Sequence, residues 1–552
     1  MMSRPHVYPY MALRIDDRIL AVLLGIVFSV VNAFVYMYLA LKLGMATGLD
    51  ILLLFFAFFV FAAARSARPR AFLYMVAVMA MAIAAVLAYT DSLGSIIMAG
   101  ETLPVPGFAM AAIISMSLIL GMLASSYFTG YFMKSGFPWP GPKVSVSIIG
   151  LLSAEKKGPE FKASAVRMGL AGVTGGAVSG LRGLRAIPET LGHAVAGFSL
   201  SPFLAGIGMI VGLRGSMQIA LGAVGSLLVL YLAEGGAADY IAHMRSPWIF
   251  STAVSMMVIT AGLSLFMVLK PLLVSAWHRA LHPHPRGQGS PESGGDSRNR
   301  MSRLAYGALL LAATVIAAAL LYTFIGVPVW LFVLCIPVAV LLMVIETRGR
   351  AEMAMSVGIA AFVVILLVGL AFQDIVALLL FQGFVLATTL GFASTLSLHK
   401  VADVFKIDQA GLRYMLVIGA FIGGLLCVPC ISLINSMYGI GTEALPAPYS
   451  VMWLEMARSA VTKVLSPSIN LYFVLLGAVM ALILYKLKIS AISVALGLLL
   501  PVSATAAILV GGIIRWGAEK KGWLKDDAGI IASGLVAGDI LVGLLFAVTT
   551  LL

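Results

Sequence analysis

Apolar runs of about twenty residues, each ended by Pro, Gly or a cluster of charges, recur from one end of this chain to the other. A helix needs that length to cross the hydrocarbon core of a bilayer, and within lipid it must satisfy its own backbone polar groups. Cutting the chain at its interruptions gives roughly 14 to 17 pieces. They fall near 18–41, 48–64, 71–89, 107–133, 164–183, 198–213, 216–233 and 248–274 in the first half. In the second half they fall near 304–325, 327–345, 353–372, 374–396, 412–435, 470–487, 489–500 with 502–516, and 529–551. The fold class expected is an all-α polytopic membrane protein.

Composition removes the competing classes. Of 552 residues, 61% are hydrophobic and only 11% charged, with a mean hydropathy of +1.06. A soluble domain keeps about a quarter of its residues charged, so this chain cannot cover a water-facing surface. Disorder and a disulfide scaffold are excluded on the same numbers. The three cysteines, Cys335, Cys427 and Cys430, sit inside apolar runs, and the Cys427-Val-Pro-Cys430 spacing lacks the second ligand pair of a zinc knuckle. Nothing calls for a metal or other cofactor, and His278, His282 and His284 read as part of a flexible tract.

The formal net charge of +13 bears on orientation, not on nucleic acid. Residues 1–17 are polar and mixed in charge, without a cleavable signal pattern, so the first span is expected to be retained. Arg14, Arg18, Arg65, Arg68, Arg70, Lys134, Lys143, Lys156, Lys157, Lys162 and Arg167 flank alternate spans, whereas the loop read at 90–107 holds Asp91 and Glu101 without a basic residue. This pattern puts the N terminus in the cytoplasm and the chain in the cell membrane. Lys463, Lys486 and Lys488 break the alternation, which suggests that the piece near 449–465 is re-entrant.

A hydrophilic stretch, 275–303, reads as a flexible cytoplasmic linker between two transmembrane halves, 18–274 and 304–552. The halves carry matching punctuation. At an offset of 289, Ser201, Gly208, Gly212 and Gly222 fall on Ser490, Gly497, Pro501 and Gly511. A weaker echo pairs Arg167 and Gly175-Gly176 with Arg413 and Gly423-Gly424. Interrupted helices at matched positions are the mark of secondary transporters, whose free helix ends meet substrate near the midplane. The same glycines also suit close helix packing. Ser201, Gly208, Gly212, Ser490, Gly497 and Pro501 are therefore substrate-binding candidates.

No G-x-x-x-x-G-K-[ST] loop occurs, since Gly136 to Lys143 (GFPWPGPK) fails at its end, and no voltage-sensor repeat or TVGYG filter is present. Gradient-driven transport is what remains. It calls for an ionisable group inside the membrane, and Asp539 in SGLVAGDILVGLL is the clearest isolated carboxylate. Glu455, three residues before Arg458, is a second proton-coupling candidate or half of a surface ion pair. Glu189 and His193, four apart in IPETLGH, suit either a substrate ammonium or metal or an extracellular helix cap. Asn435 and Tyr438, with Asn32 and Gln218, can line a cavity or bond between helices.

The stretches NAFVYMYLALKLGMATG (32–48), SPFLAGIGMIVGLRG (201–215), YGIGTEALPAP (438–448), LGLLLPVSATAAILVGGIIRW (496–516) and IASGLVAGDILVG (531–543) come in the order of a known family. On these the chain resembles the oligopeptide transporters, which include the yellow stripe-like metal-chelate transporters, as a divergent prokaryotic member. The resemblance implies about 16 transmembrane helices and proton-coupled symport of short peptides or peptide-like metal chelates. Asp539 falls where prokaryotic relatives often place an acidic residue. Two features depart from the family. SLHKVADVFKIDQ (397–409) replaces an Asp-Leu-Lys-Thr-Gly stretch and keeps only Lys400 and Gln409, and the Asn-Pro-Phe signature of the fungal peptide branch is missing.

The leading expectation is a symporter working by alternating access around the two interrupted helices, with free helix N-termini receiving a substrate carboxylate. Its partners are the lipid bilayer, a small peptide or chelate, protons and, as a further option, a second copy in a homodimer. An intramembrane aspartyl protease using Asp539 would need a second buried Asp, and Asp239, Asp374 and Asp403 all lie at span edges. A channel is the third reading.

Overall fold

The computed structural model describes residues 15–43, 68–134, 136–137, 139–153, 159–192, 197–236, 240–260, 262–263, 296–353, 368–442, 445–522 and 528–549, with a few single residues and pairs between 53 and 64 and at 365. Most of the pieces read at 48–64 and 353–372, and most of the 275–303 linker, lie outside them.

Helices account for nearly all described residues: α1 (Ile15–Leu43), α2 (Pro69–Met98), α3 (Gly107–Lys134), α4 (Pro140–Ser153), α5 (Pro159–Gly183), α6 (Pro202–Leu232), α7 (Tyr240–Arg245) and α8 (Pro247–Thr260). After these come α9 (Asp296–Ile325), α10 (Val329–Met353), α11 (Ile375–Phe405), α12 (Gln409–Tyr438), α13 (Pro448–Thr462), α14 (Leu471–Lys486), α15 (Ala491–Leu499), α16 (Val502–Lys520) and α17 (Ala528–Thr549). Two two-residue strands, β1 (Thr190–Leu191) and β2 (Phe198–Ser199), pair antiparallel with Thr190 opposite Ser199. Among the described residues, eight helices are long and apolar enough to cross a membrane, so the chain is an all-α polytopic membrane protein.

Side chains fix where the helices begin. Asp374 accepts from the Val376 and Ala377 amides at α11, and Asn470 from Tyr472 at α14, satisfying donors that have no partner inside a helix. Two sequence readings change here. α9 starts at Asp296, so the end of the stretch read as linker is helical. α2 runs on to Met98, which puts Asp91 inside a transmembrane helix and not in a loop. The polar Thr90-Asp91-Ser92 step is tolerated because α13 supplies partners: Ser450 Oγ donates to Asp91 Oδ1 at 3.3 Å, and Ser95 Oγ donates to the Ser450 carbonyl at 2.7 Å. α13, in the piece expected to be re-entrant, has 15 residues, about 22 Å of helix, short of the about 30 Å core.

The helices pack in two groups. In the first, α2 and α11 are buried nearly all round, and α1, α3, α10, α12 and α13 pack against one or both of them. In the second, α6 packs on α15, α16 and α17, while α17 also packs along α5. Each group draws helices from both sides of the 275–303 stretch. α8 meets α14 through Ser255, whose hydroxyl donates to the Val474 carbonyl at 2.6 Å.

The repeat appears as contacts. Helix α6 is bent at Gly212, whose φ of 80° and ψ of 169° suit glycine alone, and α15 and α16 are separated at Leu500-Pro501. Ser201 caps α6 and Ser490 caps α15 in the same way, each accepting from the amide three residues on. A methyl group at Gly208 would run into the Ile508 carbonyl and the Gly512 amide, and one at Gly497 would run into the Ile219 carbonyl and the Ala223 amide. Likewise Gly511 abuts the Ala205 carbonyl and Gly222 the Val494 carbonyl. Shifting one member of each pair by 289 gives the other, so the two broken helices embrace as a pseudo-two-fold pair.

Candidate functional site

The polar centre of the second group is built on α17. Its residues Gly534 and Gly538 face Met168, Gly172 and Gly176 of α5 with no room for a side chain, and Gly175 likewise abuts the Leu535 carbonyl. This parallel seam lets the backbones touch, as small residues do in membranes. It also carries Asp539, near the middle of the 22-residue α17, to the end of α5.

Asp539 is 5% exposed, and its carboxylate is fully engaged. One oxygen pairs with the Arg182 guanidinium from the last turn of α5. The other accepts from Ser201 Oγ at 2.9 Å and from the Phe203 amide at 2.9 Å. Ser179 Oγ adds a bond to the Asp539 carbonyl at 2.9 Å. The β1–β2 hairpin turns the chain so that Ser201 and the first turn of α6 reach α17, with the Leu200 amide donating to the Glu189 carbonyl at 3.0 Å. A desolvated, isolated carboxylate was the expectation; the structure gives a paired one. Arg182 is the residue that sequence reasoning missed, although an arginine ending an apolar, glycine-rich run was itself a signal.

The arrangement places a carboxylate of the protein where a substrate carboxylate was expected. The N-terminus of α6 carries free N–H groups and the positive end of the helix dipole, which suits an anion. Here Asp539 fills that place itself, joined by the guanidinium. None of its partners is a second carboxylate, as aspartyl-protease chemistry would need.

The end of α1 is held within the first group. Lys42 Nζ donates to Tyr38 Oη at 3.1 Å, and the Tyr38 ring lies 5.0 Å from that of Tyr438. The Ala447 amide donates to the Leu41 carbonyl at 2.7 Å, and the Gly441 amide to the Leu445 carbonyl at 2.8 Å, so the irregular segment after α12 is moored to α1.

The other candidates lie elsewhere or serve packing. Gly208 and Gly497 present their open faces to helix backbone. Gly212 and Pro501 mark the two breaks, and the carbonyls there are met by different donors: Arg515 Nη1 donates to Met209 and Ile210 at 2.8 and 3.1 Å, whereas Tyr240 Oη donates to Leu499 at 2.8 Å. Ser490 accepts from Ser493 at its own helix start. Asn435 Oδ1 accepts from the Ile440 amide at 3.0 Å, closing α12. Glu455 is buried in α13, accepts from Ser466 Oγ and stands 3.6 Å from Arg458, away from the Asp539 centre. Glu189 is exposed, and His193 lies outside the described residues. Among the described residues no group of three or more His, Cys, Asp or Glu is placed to hold a metal ion.

A family sequence profile described as "OPT oligopeptide transporter protein" matches residues 19–550, nearly the whole chain. No curated protein matches it.

Proposed function

The chain belongs to the OPT oligopeptide transporter family, and from that premise we propose that it is a proton-coupled symporter moving short peptides or peptide-like chelates by alternating access. It acts in the cell membrane with its N terminus in the cytoplasm, as the distribution of basic residues suggests. The observation that carries the coupling is the triple engagement of Asp539 by Arg182, Ser201 Oγ and the Phe203 amide.

The argument is one of competition. These three donors are the ones a substrate carboxylate would use, and an ionised Asp539 holds them. A proton on Asp539 removes its charge and weakens its claim on the guanidinium and the helix end. A substrate carboxylate can then take the same donors, so proton and substrate enter together and leave together. The two broken helices, packed on each other through matched glycines, supply the paired elements that rock around the site.

Uptake of a labelled peptide into proteoliposomes under an imposed inward proton gradient tests this. The wild type is expected to accumulate peptide against its gradient, and Asp539→Asn to equilibrate it without accumulation. Wild-type uptake indifferent to the gradient, or full accumulation by Asp539→Asn, overturns the coupling role.

A further inference from the structure

We propose that His243 is a second proton-binding site, held between Glu234 and Ser226, and that its proton fastens the cap on one of the two broken helices. The site shares no residue with the Asp539 centre and does not depend on the coupling role given to it.

The side chains of Ser226, His243 and Glu234 form one hydrogen-bonded chain. Glu234 Oε2, just past the end of α6, lies 2.6 Å from His243 Nδ1, and His243 Nε2 lies 2.7 Å from Ser226 Oγ. Ser226 and His243 are almost fully buried, at 1% and 2% exposed. The elements that meet α7 bring no other charge to the ring. Residues 216–232 of α6, 247–260 of α8 and 491–514 of α15 and α16 contain no Asp, Glu, Lys, Arg or His. On α7 itself the other titratable groups are Tyr240, one turn earlier, and Arg245, two residues on and so on another face.

A neutral ring donates from Nδ1 to Glu234 and accepts from Ser226 at Nε2, whereas a protonated ring donates at both ends. The surroundings favour the second state. Glu234 Oε1 is buried without a hydrogen-bond partner among the described residues, so the carboxylate relies on its one bond from the ring. A proton on His243 turns that bond into an ion pair, and a charge-assisted bond is roughly twice as strong as a neutral one.

Tyr240 and His243 are three apart on one face of α7, and the Tyr240 hydroxyl donates to the Leu499 carbonyl at the break between α15 and α16. Fixing the ring therefore fixes the cap. The repeat sets this break apart from its mate. Ser226 shifted by 289 is Arg515, whose guanidinium caps the break in α6 directly. One break is held by a permanent charge. The other is held through an imidazole, the side chain whose charge ordinarily changes between about pH 5 and 8. Acid conditions fasten the second break, and neutral ones loosen it.

Hydrogen–deuterium exchange of the reconstituted full-length protein tests this at the amides of residues 499–505, after correction for the intrinsic pH dependence of exchange. Wild-type protection there is expected to fall about tenfold from about pH 5 to about pH 8, the difference between a charged and a neutral bond. His243→Gln should make it independent of pH. Glu234→Gln, which keeps the ring and removes its counter-charge, should lose the protection gained in acid, and Tyr240→Phe should stay at the low value throughout. Asp539→Asn is expected to keep the wild-type profile. If His243→Gln elutes aggregated, Glu234→Gln decides alone. A flat wild-type profile, a wild-type profile in His243→Gln or Glu234→Gln, or a profile abolished by Asp539→Asn overturns the proposal and leaves the transport reading standing.

Discussion

The main-chain carbonyls of Ile210 and Leu499 are equivalent under the 289-residue repeat, yet one is capped by the Arg515 guanidinium and the other by the Tyr240 hydroxyl. A broken helix leaves carbonyls that lipid cannot satisfy, so both donors are structurally required. Arg515→Met leaves the Met209 and Ile210 carbonyls without their donor and is expected to lower stability by about 1–3 kcal/mol. Tyr240→Phe, which removes one neutral bond, should lower it by about 0.5–1.5 kcal/mol. Thermal unfolding in detergent measures both, and a larger loss for the phenylalanine variant would contradict the assignment.

The Arg182 and Asp539 charges depend on each other. Arg182→Met strands a buried carboxylate and is expected to cost about 3–5 kcal/mol. Arg182→Met combined with Asp539→Asn removes both charges and should recover most of that loss. A double variant as unstable as Arg182→Met alone would show that the ion pair is not the reason.

Matched glycines should fail alike. Gly208→Ala and Gly497→Ala each drive a methyl group against a helix backbone, and each is expected to destabilise by roughly 1–3 kcal/mol. Gly130 has open space around it, and Gly130→Ala serves as the control. A loss at one of the pair with none at its mate would contradict the two-fold packing.

Asp408, at the start of α12 and outside the membrane-spanning helices, accepts from the Gly411 and Ala410 amides at 2.9 and 3.3 Å. The bond from Gly411 chiefly, then that from Ala410 and the nearby Arg70 and Arg18, hold its carboxyl below the ordinary range. A depressed native value means that its contribution is complete above about pH 4 and is lost as pH falls through that native value. Asp408→Ala should therefore destabilise by about 1 kcal/mol near neutral pH, and the gap to the wild type should close in acid. A gap independent of pH would point to packing instead.

Local signals in the sequence were enough to find the breaks. Ser201, Gly212, Ser490 and Pro501 act on their own neighbours, so the helix starts and interruptions follow from residue type alone. Asp91 was misplaced because a polar step in an apolar run reads as a span end, and its partner Ser450 lies 359 residues away. The pairing of Arg182 with Asp539 spans 357 residues and depends on the depth at which two helices meet, which composition does not encode. Glu455 stood out as a rare carboxylate, but nothing local revealed that Ser466 would bond it in a separate place.

The seam between α5 and α17 has a consequence for biogenesis. Arg182 is made 357 residues ahead of its counter-ion, so the nascent chain must hold an uncompensated guanidinium through most of its synthesis. The site is then assembled by a late arrival, and a chain truncated before Ala528 would be left with the first turn of α6 facing nothing and with α5 lacking its mate. Loss of the last two dozen or so residues should therefore mark the protein for quality control as surely as loss of a central span.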